Sequence, residues 1–146
     1  MITREDALVR YPDAAFFAFG DGAELNGEIL ALVRSGKKTI SCDAVAGFAA
    51  RSEPLPLVGK IDVATDWDGT PQLAIRTVEV LQIPFDQMSA QMIPAQGEFR
   101  DLAHWRAGYQ AYLTRAGLFT SDVLMLVERF ELVEDFLDLR ATSGAG

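Results

Sequence analysis

One cysteine, one histidine and three lysines are all that 146 residues supply of these chemically useful types. Cys42 alone forms no intrachain disulfide and builds no thiolate zinc cage, so the fold rests on its core and the chain is expected in a reducing cytoplasm. His104 alone, among scattered carboxylates, makes no metal motif. No resident metal and no organic cofactor is expected, which leaves only Mg²⁺ carried in on a nucleotide. No stretch approaches the roughly 18 uncharged apolar residues that cross a bilayer, and no apolar run follows the acidic start, so neither a membrane protein nor a secretory precursor is expected. Positive charge is scarce too: 13 Lys and Arg stand against 21 Asp and Glu, a formal net charge of −8. The average field therefore repels phosphate, and duplex DNA is excluded as a partner. Any nucleic-acid contact must be local, and Arg34, Lys37, Lys38, Arg51 and Lys60 do fall within one early segment.

What is present builds a core, with 49% hydrophobic and 10% aromatic residues in a length suited to one domain. Leu25, Ile29, Leu32 and Val33 recur at helical spacing ahead of Gly36, which predicts a helix over 23–35. Residues 39–42 read as a short strand, and 43–50 as a short helix turning Val45, Phe48 and Ala49 inward. Pro54 and Pro56 stop that helix. Strand 60–65, an Asp68-Gly69 turn and strand 72–82 carry the signature of a β-hairpin. In the second arm Ala74, Arg76, Val78 and Val80 share one face, while Leu73, Ile75, Thr77, Glu79 and Leu81 share the other. Both faces are partly apolar, so a strand covered on both sides is expected. Pro84-Phe85-Asp86 opens a short helical piece, 92–98 is irregular, and Asp101 caps a helix over 102–116. Residues 122–130 close the domain as a strand. The order is α+β, for which a small curled sheet or barrel flanked by helices is the natural solution.

Gly36-Lys37-Lys38-Thr39-Ile40-Ser41-Cys42 places two of the three lysines beside hydroxyl and thiol groups at a helix-to-strand junction. The plainer reading is a pair of lysines neutralising a helix C-terminus, worth about 0.3–1 kcal/mol. The sharper one is a site in which Lys38, its pKa lowered by Lys37 or by burial, deprotonates Ser41. On that sharper reading Lys38→Ala abolishes turnover while leaving the thermal midpoint nearly unchanged, as at exposed positions. Trp105, Tyr109 and Tyr112 have core spacing, and Trp105 is also kept as a platform on which a base can stack. Arg76 on a covered strand asks for an acidic or phosphate partner, with Glu79 and Glu98 as candidates. His104, off the apolar stripe of its helix, reads as solvent-facing.

With these residues in view the chain resembles the ASCH domain family, which has a PUA-like barrel. The resemblance rests on Gly36-Lys37-Lys38-Thr39, Glu53-Pro54-Leu55-Pro56-Leu57-Val58-Gly59, Arg76-Thr77-Val78-Glu79-Val80, Pro84-Phe85-Asp86, Trp105-Arg106 and Val127-Glu128-Arg129-Phe130-Glu131, in the order of the longer bacterial members. It implies a PUA-like β-barrel of five or six strands flanked by helices over 19–136, with 1–18 an extension packed on the domain and 137–146 a disordered tail. For function it implies RNA binding, RNA cleavage, or hydrolysis of an acyl amide on a modified cytidine. By that resemblance Lys38 is the catalytic lysine and Ser41 the hydroxyl nucleophile. The family's downstream glutamate aligns with Gln96, so that Glu98 is the carboxylate able to replace it.

These readings combine into a cleft that takes a nucleoside, a nucleotide or single-stranded RNA. Lys38, Ser41 and Glu98 carry any hydrolysis, and Lys37, Thr39, Arg76 and Trp105 hold the ligand. The alternatives are a non-catalytic binding module, which needs the cations but not Ser41, and a self-associating protein that has lost its ligand. A homo-oligomer is compatible with the sequence.

Overall fold

A computed structural model describes residues 2–137. The tail expected to be disordered lies, beyond Leu137, outside the described residues. Among those residues no helix is long and apolar enough to cross a membrane.

The chain begins with a helix that the periodicity does not announce, α1 (Arg4–Arg10), started by a reciprocal Thr3–Asp6 capping box. Only Ala7 of this helix is buried. Tertiary contacts hold it instead: Arg4 lies 4.1 Å above the Phe16 ring, and Glu134 receives Arg10 and the Tyr11 hydroxyl. Strand β1 (Phe16–Ala18) is three residues long and was equally unannounced, because its hydrogen-bonding partner is parallel and lies far along the sequence. Helix α2 (Ala23–Arg34) follows as the spacing predicts and buries Asn26, Ile29, Leu30 and Val33. The Asn26 amide donates to the Phe19 and Thr65 carbonyls, so a polar residue in this core face is satisfied.

Strand β2 (Ile40–Ala44) leads directly into α3 (Val45–Ala50). Here the expected inward face is corrected: Val45 and Phe48 are half-buried, Ala49 is exposed, and Gly47 is the buried residue. A Cβ at position 47 would stand 3.1 Å from Arg51 and 3.3 Å from Asp43, so the helix presses its backbone, not a side chain, against that ion pair. The hairpin forms as read, from β3 (Ile61–Thr65) and β4 (Pro71–Pro84).

The uniform face pattern of β4 does not survive. A register shift between Thr77 and Glu79 inserts a bulge, which reverses the alternation beyond it. The first half of β4 is covered on both faces, while Glu79, Leu81 and Gln82 are exposed. Three short 3₁₀ turns, Phe85–Gln87, Ala90–Met92 and Pro94–Gln96, precede α4 (Leu102–Arg115), which Asp101 caps through the His104 N–H. Strand β5 (Leu124–Asp135) runs well past the expected end at Phe130, because β4 continues to pair with it as far as Asp135.

The five strands lie in the order β1-β3-β4-β5-β2, a curled half-barrel flanked by helices. Helix α2 covers a core of Phe19, Ile29, Leu30, Val33, Leu73, Ile75 and Phe130. Helix α4 and the 3₁₀ turns enclose a second one around Phe85, Met88, Ile93, Trp105, Leu113, Met125 and Val127. Strand β2 is an outer strand, and its two sides differ. The Thr39 carbonyl accepts from Phe130 of β5, so by antiparallel alternation the carbonyls of Ile40 and Cys42 face away from the sheet.

Candidate functional site

The turn between α2 and β2 is built by Gly36, whose φ of +79° suits glycine and ends the helix as a C′ residue does. Lys37 and Lys38 both donate their backbone N–H to the Leu32 carbonyl, which uses up the end of the helix. Lys37 then points into solvent, while Lys38 turns inward and is only 2% exposed. An aliphatic stem crossing the protein edge can be buried cheaply, but an ammonium group cannot unless every proton finds an acceptor.

Lys38 Nζ finds three. It donates to the Ile40 carbonyl at 2.8 Å, the Gln96 carbonyl at 3.1 Å and Glu98 Oε2 at 2.7 Å. The expectation that a substitution here leaves the thermal midpoint unchanged is therefore corrected, because the side chain is a buried structural cation. No hydrogen bond joins Lys38 to Ser41 among the described residues.

Glu98 is 18% exposed and is delivered by the segment that follows the last 3₁₀ turn. Gly97 makes that delivery fit: its φ is +77°, and a Cβ would stand 3.0 Å from the Lys37 carbonyl oxygen and 3.1 Å from Lys38 Cβ. Gln96, the position aligned with the family's glutamate, does something else with its side chain. It accepts from Trp105 Nε1 at 2.9 Å and donates to the Met92 carbonyl at 3.2 Å. Glu98 is thus the carboxylate that reaches the lysine.

Trp105 is corrected as a stacking platform. It is 0% exposed, stacked on Phe85 at 5.1 Å and tilted against Tyr109 at 5.0 Å, so no face is left for a ligand. Its work is indirect, since it holds Gln96, whose carbonyl holds Lys38. Tyr109 donates to the outward carbonyl of Cys42 at 2.9 Å, and burial raises its pKa well above the usual phenol value. Burial likewise pushes the Cys42 thiol up to about 12, which removes it as a nucleophile near neutral pH.

Arg76 is also corrected: its guanidinium is 43% exposed and pairs with Glu131, not with Glu79 or Glu98. His104 is half-buried, with Nδ1 accepting from the Arg100 N–H and its ring edge-on to Phe99. Thr39 is half-buried, and its backbone ties the turn to Ala95 and Phe130.

One residue escaped the sequence reading. Glu128 lies directly opposite Ser41 in the β2–β5 register, so the two side chains share a face. It is half-buried, and its Oε2 accepts from Thr77 Oγ1 at 2.6 Å. Burial raises its pKa, with Asp62 adding to the rise while Thr77 and the ammonium of Lys38 oppose it. A lone carboxylate among the apolar residues Leu126, Val127 and Phe130 was the available signal. The surroundings of Lys38 are thus of mixed charge rather than cationic, since Glu98 pairs with its ammonium and Glu128 feels that ammonium through space.

The Glu128 shift fixes a stability trend. A carboxyl whose folded pKa lies above 4.5 is easiest to accommodate when protonated, and ionising it as pH rises through the folded pKa costs stability. Glu128→Gln keeps an oxygen for the Thr77 hydroxyl and removes the charge. It is expected to melt above the wild type at pH 7, with the gap narrowing toward pH 4.5; a gap that widens on acidification would contradict the burial of this carboxyl.

The ASCH domain family model matches residues 15–134. The chain belongs to the ASCH domain family. Its fold agrees with solved structures of the kind. An ASCH domain from Lactobacillus crispatus JV V101 superposes with a TM-score of 0.72 at 26% identity, over 90% of this chain and 86% of that one. Protein EF3133 from Enterococcus faecalis V583 superposes with a TM-score of 0.76 at 24% identity, over 97% and 92% respectively. No protein of curated function matches the chain. In this ASCH domain the turn that follows α2 carries the buried lysine, and the loop before α4 carries its carboxylate partner.

Proposed function

We propose that this ASCH domain binds a nucleoside-sized ligand, free or as one unit of single-stranded RNA, beside Lys38, Ser41 and Glu98, and that it does so without lysine-assisted hydrolysis. The observation that carries this reading is the coordination of Lys38. A general base needs a lone pair aimed at the hydroxyl it activates. Lys38 has three acceptors for its three protons and makes no bond to Ser41, which describes an ammonium held in place.

The polar atoms left over suit recognition. No hydrogen bond engages Ser41 Oγ, Thr39 Oγ1 or Glu98 Oε1 among the described residues, and no buried polar side-chain atom there lacks a partner, so these oxygens meet solvent. Oxygens of that kind match the hydroxyls and N–H groups of a nucleoside. A run of phosphates is matched poorly, because Lys38, Lys60, Arg76, Arg34 and Arg129 each already face a carboxylate. Lys37, exposed at the rim, is placed for a single phosphate.

Titration calorimetry with cytidine, adenosine and a short single-stranded RNA tests this, with chromatography of the same mixtures for product. Binding without turnover is expected. Glu98→Gln, which keeps an acceptor for Lys38 but weakens a charged contact to the ligand, is expected to lose about tenfold in affinity, the size of one charge-assisted hydrogen bond. Hydrolysis is the second reading, favoured by the meeting of a lysine, a carboxylate and a nearby hydroxyl. Release of cytidine from N4-acetylcytidine, or of RNA fragments, abolished in Lys38→Ala, would establish it over the first.

A further inference from the structure

The base-contacting part of this site is open in the reading above, and one side chain is fitted to fill it. We infer that Glu128 reads the base: its free carboxylate oxygen, on the same sheet face as Ser41, accepts a hydrogen bond from an exocyclic amino group, so that amino-bearing bases are preferred over their keto counterparts. The inference rests on the nucleoside reading and adds the chemical class of base.

Three observations support it. First, only one of the two oxygens is used, since Thr77 Oγ1 donates to Oε2 and no hydrogen bond reaches Oε1 among the described residues. As no buried polar side-chain atom there lacks a partner, Oε1 is open to solvent. Second, the carboxylate is held but not neutralised. Asp43, Asp62, Glu79, Glu98, Glu131, Glu134 and Asp135 each have a cation within 4.0 Å, whereas Glu128 has none among the described residues. The charges of Lys38 and Asp62 act on it through space with opposite sign. Third, the fold does not need its charge. A neutral amide would satisfy Thr77 equally well, yet the chain carries a carboxylate in a half-buried position, where ionisation is disfavoured unless a donor arrives.

A carboxylate accepts and does not donate, so it discriminates by what the ligand offers. It favours the N4 amino group of cytosine or the N2 amino group of guanine, and it repels the carbonyl oxygen that uracil presents in the same place.

The test compares two ligand pairs that differ at that group, cytidine with uridine and guanosine with inosine, titrated calorimetrically into the full chain and into Glu128→Gln. In the wild type the amino member of at least one pair is expected to bind about tenfold more tightly. In Glu128→Gln that preference is expected to disappear or reverse, because the amide can turn a donor toward the ligand. Equal affinities within both pairs in the wild type, or a preference that survives in Glu128→Gln, would overturn the role of Glu128 and leave the nucleoside reading standing. Absence of binding by all four nucleosides would overturn this inference, and absence of binding by the short single-stranded RNA as well would overturn the nucleoside reading with it. Glu128→Gln is expected to fold at least as well as the wild type, and its melting curve checks that any loss of preference is not a loss of fold.

Discussion

Lys38→Met is expected to melt about 10 °C below the wild type. The substitution keeps the aliphatic bulk of the side chain, so the loss isolates the ammonium group. It strands Glu98, 18% exposed, without its cation, and leaves the Ile40 and Gln96 carbonyls without a donor. Breaking one side of a buried pair costs about 3–5 kcal/mol. Because Glu98 retains some contact with water, the lower end applies, and for a chain of this size each kcal/mol moves the midpoint by roughly 3 °C. Glu98→Met in the same background is expected to recover part of the loss, since an apolar pair avoids the desolvation of the charges. A Lys38→Met midpoint within about 2 °C of wild type would mean that the ammonium is hydrated and that the site must be redrawn.

Trp105→Ala carries the second large effect. The ring is fully buried between Phe85 and Tyr109, and truncating an aromatic in such a setting costs about 3–5 kcal/mol. Trp105→Phe separates the two parts of that figure. It retains a ring to stack on Phe85 but removes the donor to Gln96, and a cost of about 1–3 kcal/mol is expected for the unpaired amide oxygen. Urea unfolding followed by far-ultraviolet circular dichroism reports on both, since each variant keeps only the 48% exposed Trp67 as a tryptophan fluorophore. If Trp105 were a ligand platform, Trp105→Phe would alter binding more than stability. The opposite order is expected.

What the sequence revealed depended on the distance over which a signal acts. Helices α2 and α4 and the β3–β4 hairpin were legible because apolar spacing, caps and turn residues lie within each segment. Helix α1 and strand β1 were not. The first is held by contacts with Phe16 and Glu134, and the second by a parallel partner 47 residues away, Phe16 against Val63. The bulge at Thr77 was invisible for a similar reason, since it belongs to the pairing of β4 with β5 and not to β4 alone.

The site shows the same division. Lys38 was legible as a residue of interest from its turn, and Glu98 only through a family resemblance that pointed first to Gln96. Sixty residues separate Lys38 and Glu98, and only the packed loop before α4 shows which oxygen meets the ammonium. Arg76 was misread because burial was inferred from its neighbours on one strand, while its true partner, Glu131, lies on the next. Glu128 went unnoticed because its meaning comes from standing opposite Ser41, a fact of register.

The two outward carbonyls of β2 have a consequence for self-association. An outer strand with free backbone acceptors invites another strand to add to it. Here the Ile40 carbonyl is occupied by the Lys38 ammonium and the Cys42 carbonyl by the Tyr109 hydroxyl. Side chains thus take the place that a neighbouring molecule's backbone would fill at these two acceptors, and this edge of the sheet offers them to no further strand. Removing both groups together, as in a Lys38→Met, Tyr109→Phe double variant, would reopen it, turning a rim that now ends the sheet into one that can extend it from copy to copy.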